Sequence, residues 1–300
     1  MAELDDLLAL AEAAATEAGA ALKAHRGEWR VIEAEHGREV KIEADKRAEA
    51  LIVDALSKRT PFPILSEEAG WIAGAPGAYA WAVDPLDGSV NYLRDYPHCA
   101  VSIALLRDGD PVLGVVDCFL LGERYCGIVG HGAKLNGAPI AVSAIADPAQ
   151  GILHTGVPAR ASAASMSAFE ARLTQWRKVR MIGSAATALA YVAAGRAEAY
   201  RESGSMLWDV AAGCALVKAA GGIARIVGAA PEHFPQTTSR SSGVENAQSQ
   251  ELRPFSDRPG YAEAKLQLRP GEKTAHTFSE NGLDRPLEVA ACNNAAPLPQ

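Results

Sequence analysis

Near residue 147 the grain of the sequence changes, and this constrains the fold more than any other feature. Before it, proline and glycine cut the chain into short β-rich pieces at 64–67, 80–84, 100–106, 112–118 and 124–129. Asp108-Gly109-Asp110-Pro111 and Asn136-Gly137 are turn sequences that reverse the chain between antiparallel neighbours. After it, the order becomes strand (152–155), helix, strand (179–182), helix (184–194), strand, helix (209–219), strand (223–227), and that alternation builds a layered α/β unit. Two halves follow: an α+β half over 1–147 and an α/β half over 148–300.

The first half opens with Leu4, Leu7, Leu8, Ala11, Ala14, Ala15, Ala18 and Leu22 at three- and four-residue steps, an amphipathic helix. A second helix is predicted over 44–58. Between about 231 and 284 apolar periodicity disappears and Ser, Gln, Arg, Pro and Gly dominate, a long polar insertion before a last strand at 287–291.

Hydrophobic residues at 48% and charged residues at 22% describe a chain that folds on a sizeable core. A net charge of -7 offers no broad basic surface, so neither nucleic acid nor a membrane is expected as a partner. Five cysteines without a Cys-x-x-Cys pair argue against a disulfide framework or a zinc site and fit a cytoplasmic location. The N-terminus opens with Glu3, Asp5 and Asp6 in place of a basic targeting region, and no apolar run approaches membrane-spanning length.

Chemistry is concentrated in Trp81-Ala82-Val83-Asp84-Pro85-Leu86-Asp87-Gly88-Ser89. An apolar strand delivers Asp84, Pro85 is expected to stop the ladder, and the bend lets Asp87 turn back beside it. Two carboxylates and a free carbonyl then converge, a hard oxygen donor set that suits Mg2+ better than zinc. Small residues at Gly88 and Ser89 let backbone amides approach phosphate oxygens. Ser66-Glu67-Glu68 and Trp208-Asp209 each place a further carboxylate at the end of an element. Singly, each segment is more often only a turn, a helix cap or a solvated face.

Taken together and in order, these segments resemble the inositol monophosphatase family. The stretch from Asp84 to Tyr92 is similar to the family's first signature, and Trp208-Asp209-Val210-Ala211-Ala212-Gly213 followed by Gly221-Gly222 to its second. The resemblance implies an αβαβα layered sandwich of the inositol monophosphatase / fructose-1,6-bisphosphatase type. It further implies that Glu67, Asp84, the Leu86 carbonyl, Asp87 and Asp209 hold magnesium, with Asp45 reaching a weaker ion through water. Ser89 stands where the family has threonine, orienting the attacking water with Glu67 or Asp45, while the Gly88 and Ser89 amides hold phosphate. Asp87, Gly183, Ser184, Ala185, Glu202 and Asp209 are the implied substrate contacts. Two or three Mg2+ ions, replacement by Mn2+, inhibition by Li+ and a homodimer are also expected from it. Lys41-Ile42 departs from the family's Val-Thr ahead of Asp45, removing a hydroxyl and adding a cation.

The implied reaction is hydrolysis of a small sugar, cyclitol or nucleoside monophosphate by metal-activated water. A 3'(2'),5'-bisphosphate nucleotidase of the same superfamily is the alternative enzyme, and a non-catalytic regulatory binding protein on this fold is the alternative class. Glu202 reads either as an acceptor for a substrate hydroxyl or as a surface glutamate beside Arg201.

Overall fold

The computed structural model describes residues 2–36, 39–75, 77–157, 163–227 and 287–292, so the insertion expected at 231–284 lies outside the described residues. Helix α1 (Ala2–Ala24) buries the stripe its spacing predicts: Leu7, Ala11, Ala14, Ala15, Ala18 and Leu22. An antiparallel pair, β1 (Ile32–His36) and β2 (Glu39–Ile42), leads into α2 (Glu43–Ser57).

Next come β3 (Ile64–Ser66), β4 (Gly70–Ile72), β5 (Tyr79–Asp87), α3 (Ser89–Leu93), β6 (Ala100–Arg107), β7 (Asp110–Cys118), β8 (Glu123–Ile128), β9 (Gly132–Leu135) and β10 (Ala138–Ile140). Strands β3 to β10 form one sheet in the order β10-β9-β8-β7-β6-β5-β3-β4, antiparallel except where β3 lies beside β5. Both expected reversals are present: Asp108 and Gly109 take φ of 53° and 88° between β6 and β7, and Asn136 and Gly137 take 49° and 83° between β9 and β10. Positive φ at both central residues matches the twist of a tight hairpin.

The second sheet is built from β11 (Ile152–Thr155), β12 (Lys178–Arg180), β13 (Ala199–Ser205), β14 (Ile223–Val227) and β15 (Leu287–Cys292), with α4 (Ala163–Gln175), α5 (Ala185–Ala193) and α6 (Leu207–Ala219) between its strands. Its order is β12-β11-β13-β15-β14, and β12 ends two residues before the expected 182.

Alternation along β5 and β6 explains the layering. Trp81, Val83, Val101, Ile103 and Leu105 join the core with α1 and α2, while Ala82, Ala100, Ala104 and Leu106 join α5 and α6 on the other face. That second face is made of small residues, so the helix lies close: a Cβ on Gly114 of β7 would come within 2.9 Å of the Ala212 carbonyl carbon in α6. Helix α6 is apolar on all sides, with Val210, Ala211, Ala212, Cys214, Leu216 and Val217 fully buried, because it is covered by a sheet on either side. Parallel crossovers are right-handed, and β11 to β12 steps across the sheet in the direction opposite to β12 to β13. Helix α5 therefore faces the first sheet and α4 the outer side, completing an αβαβα sandwich.

One expectation needs correction. Pro85 does not end β5, which continues to Asp87; the ladder is broken only locally, with Asp84 opposite Ser102 and Asp87 opposite Ala100. Three steps on β5 match two on β6, a bulge, and a bulge accommodates a residue that has no N–H to give. No helix among the described residues is long and apolar enough to cross a membrane.

Candidate active site

The bulge decides where the first two acids point. Strand residues three apart normally face opposite ways, but the extra residue places Asp84 and Asp87 opposite Ser102 and Ala100, two positions on one face of β6. Ala100 packs with α5 and α6, so both carboxylates are delivered toward those helices at the C-terminal end of β5. Asp84 Oδ1 accepts the Leu86 N–H at 3.0 Å, across Pro85.

The other acids arrive from separate elements. Glu67 follows β3, its N–H bound to the Val83 carbonyl of β5 at 3.2 Å, and its side chain shares a hydrogen bond with Asp84. Asp209, third residue of α6, accepts the Met206 N–H at 2.7 Å, and Asp45, third residue of α2, accepts the Ile42 N–H at 2.8 Å. These are helix-capping bonds, so the cap and the acidic site use the same residues. Ser89 Oγ lies 2.9 Å from Asp45 Oδ1 and 3.1 Å from the Leu86 carbonyl, and its single proton serves one of them at a time. Gly88 turns the chain between Asp87 and Ser89 with φ of 90°, and a Cβ there would crowd the carbonyls of His98 and Gly183 at 2.9 and 3.1 Å.

Asp87 is held by the start of α5. Ser184 Oγ donates to its Oδ2 at 2.6 Å, the Ala186 N–H to the same oxygen at 2.7 Å, and the Ala185 N–H to Oδ1 at 3.3 Å. Ser184 also caps α5 by accepting the Thr187 N–H at 3.2 Å. Of the residues implied as substrate contacts, Ser184 and Ala185 thus engage Asp87, and the Gly183 carbonyl lies 3.3 Å from Asn91 Nδ2.

Burial and mutual repulsion set the electrostatics. Glu67 is pushed well above the usual carboxylate range by desolvation and by the charges of Asp209 and Asp45. Asp84 is raised likewise by desolvation and by Glu67, Asp87 and Asp209. Desolvation lifts Asp87 to about 6 against the pull of its α5 donors, and Asp45 to about 7 against the bonds from Ile42 and Ser89. Glu67, Asp84, Asp87, Asp209 and Asp45 therefore form one interacting cluster. No three His, Cys, Asp or Glu side chains among the described residues stand at metal-ligating spacing. Asp45, Asp87 and Asp209 each turn an oxygen toward N–H or O–H donors, while Glu67 and Asp84 share a hydrogen bond. The donor set is nonetheless all oxygen, and its repulsion is of the kind a hard divalent cation relieves.

Two flanking features complete the picture. Lys41 reaches Glu68, Nζ to Oε2 at 3.0 Å. Glu202 is not a solvated surface residue: it is half-buried, accepts the Tyr200 hydroxyl at 2.8 Å, and packs its carboxylate so closely on Gly156 that a Cβ there would displace it. Desolvation raises its pKa, opposed by the Tyr200 bond. Sequence reasoning gave no role to Asn91 or Glu68. Asn91 lies inside the first signature, the one sign that pointed to it.

Known proteins share this sequence pattern and this fold. The sequence profile of the inositol monophosphatase family matches residues 3–254. A Nus factor SuhB from Xylella fastidiosa is 42% identical over 184 residues, 60% of this chain and 66% of that protein, just under two thirds of its length. An inositol-1-monophosphatase from Synechocystis is 38% identical over 229 residues, 74% of this chain and 79% of that one. Among solved structures, the extragenic suppressor protein suhB from Bartonella henselae superimposes with a TM-score of 0.70 at 33% identity, covering 73% of this chain and 87% of that one. An inositol monophosphatase from Anabaena does so at 0.66 and 34%, covering 75% and 84%. With the profile running over most of its length and both signatures meeting at one acidic cluster, the chain belongs to the inositol monophosphatase family.

Proposed function

We propose that the chain is a Mg2+-dependent phosphomonoesterase acting on a small, hydroxyl-rich phosphate ester. The observation that carries this reading is the all-oxygen cluster of Glu67, Asp84, Asp87 and Asp209, in which desolvation raises Glu67, Asp84 and Asp87 toward protonation and neighbouring acids, Asp209 among them, push Glu67 and Asp84 further the same way. Such a cluster is costly unless cations neutralise it. Glu67, Asp84, the Leu86 carbonyl, Asp87 and Asp209 would hold the ions, Mn2+ would serve in place of Mg2+, and Li+ would inhibit. Bound magnesium supplies charge neutralisation at the phosphate and lowers the pKa of a water.

The chain's own groups do the rest. Glu67 and Ser89 orient the attacking water, with Asp45 fixing the Ser89 hydroxyl at 2.9 Å. The Gly88 and Ser89 amides receive the phosphate oxygens. Glu202, steadied by Tyr200, accepts a substrate hydroxyl. A cyclitol or sugar monophosphate fits that acceptor, and the Synechocystis relative's name favours it over a nucleoside bisphosphate.

Purified protein should release inorganic phosphate from inositol 1-phosphate or a sugar phosphate with Mg2+, and lose that activity in EDTA and on Asp84→Asn. Full turnover by Asp84→Asn would reject the assignment. A second reading, a factor acting through partner binding on this fold, is favoured by the Nus factor name of the Xylella relative. It gains the upper hand if a panel of phosphorylated metabolites yields no turnover at any Mg2+ concentration.

A further inference from the structure

Lys41 sits on β2 at the rim of the acidic cluster, and its neighbours are acids. Its ammonium is 3.0 Å from Glu68 Oε2, and the charges of Glu67 and Asp45 also act on it. Glu68 is an unusual partner. Its side chain is only 7% exposed, and its second oxygen, Oε1, is buried with no hydrogen-bond partner. The backbone around it is pinned, because the Glu68 and Ala69 N–H groups both donate to Glu49 Oε1, at 3.2 and 3.1 Å. A carboxylate fixed so deep with one oxygen unbonded is tolerated only where positive charge faces it. Lys41 provides that charge.

The hairpin holds Lys41 in place. It pairs with Ala34 across the β1–β2 ladder, and the next residue, Ile42, pairs with Ile32 and gives its N–H to Asp45. One short segment thus sets both an acid of the cluster and the cation beside it. An ammonium on a stem is a point charge that neither dilution nor a chelator removes.

We propose that Lys41 is a tethered cation for the Asp45–Glu67–Glu68 edge of the cluster, so that the site is completed by fewer divalent ions than its carboxylates would otherwise draw. The inference rests on the magnesium-dependent reading above and specifies how the site is filled. Removing the charge opens a place for one more, weakly held, divalent ion at that edge. Lys41 acts through the carboxylates it faces, as a positioning residue.

Mn2+ binding to the full-length chain, followed by the electron paramagnetic resonance of free Mn2+, tests this without reference to turnover. Lys41→Met is expected to take up one Mn2+ more than the wild type, with an affinity at least tenfold weaker than the ions both proteins share. Lys41→Arg is expected to keep the wild-type number. Because Lys41 is 38% exposed on an outlying hairpin, the variants should fold, and Lys41→Gln repeats the neutral substitution if Lys41→Met does not. A neutral variant with the wild-type number and affinities overturns the role of Lys41 while leaving the magnesium reading standing. No Mn2+ uptake by the wild type overturns that reading, and this inference with it.

Discussion

The side-chain amide of Asn91 donates to the carbonyl of Ile182 at 2.7 Å, across 91 positions of sequence, and to the carbonyl of His98 at 2.6 Å. The bond to Ile182 ties α3, which carries Ser89, to the segment that opens α5 and holds Asp87, while the bond to His98 fixes the connection between α3 and β6. The two ends of the candidate site are thereby kept in register.

Replacing Asn91 by alanine leaves two carbonyls without their donor and frees Ser184 to drift from Asp87. Stability should fall by about 1–3 kcal/mol, the usual cost of unmade buried hydrogen bonds. Phosphate release should fall on the order of 10- to 100-fold, because small misplacements of reacting groups are expensive. Urea melts and steady-state assays on the same preparation check this; a folded variant with wild-type turnover removes the tie from the catalytic account.

Mg2+ should stabilise the protein against heat. At a concentration near one hundred times its dissociation constant, a ligand that binds only the folded state contributes about 2.7 kcal/mol. Asp84→Asn should abolish most of that gain and yet melt above the wild type in EDTA, since it removes an acid whose ionisation is opposed by burial and by the charges of Glu67, Asp87 and Asp209. Scanning calorimetry with and without Mg2+ reads both effects. A variant less stable than wild type in EDTA contradicts the repulsion described for the cluster.

How much of this was legible beforehand depends on distance along the chain. Asp84, Asp87 and Gly88 lie within five residues, and their convergence followed from local chemistry, although the bulge that accomplishes it was misread as a stop at Pro85. The partnership of Ser184 with Asp87 spans 97 positions, and no spacing rule connects them. The β1–β2 hairpin escaped notice because β1 is largely exposed and both strands are short and rich in charge, so no apolar alternation marks them. By contrast, α1 was visible because burial of one face imposes its period on the sequence, and α6 because an apolar run follows Asp209. The strand expected at 287–291 is present, but its insertion between β13 and β14 depends on pairing that sequence pattern does not encode.

Asp117 tests burial away from the site. Desolvation raises its carboxyl to about 6 from 3.8, with Arg124 Nε at 3.7 Å too far to offset it. Because the folded value lies above the unfolded one, ionisation works against the fold above pH 4 and reaches its full cost above pH 6. Asp117→Asn should stabilise by roughly 1–3 kcal/mol at pH 7 and by nothing at pH 3.5. Equal denaturation midpoints at pH 7 contradict it.

His154 tests the opposite sign. Burial, with help from Arg180 and His98, lowers it to about 4 from 6.5. The folded state prefers the neutral ring, so this contribution is complete above pH 6.5 and is lost as pH falls toward 4. His154→Gln should flatten the decline in stability between pH 6.5 and 4.5 by about 2 kcal/mol, measured as denaturant midpoints at each pH. A decline as steep as the wild type's assigns it to other groups.

Val227 at the end of β14 is opposite Glu288 at the start of β15. The stretch numbered 228–286 therefore departs from and returns to a single rung of one antiparallel ladder. When the two ends of a segment are pinned side by side, the entropy of closing it rises only logarithmically with its length. Residues can be gained or lost between those two positions over generations at little cost to the sheet.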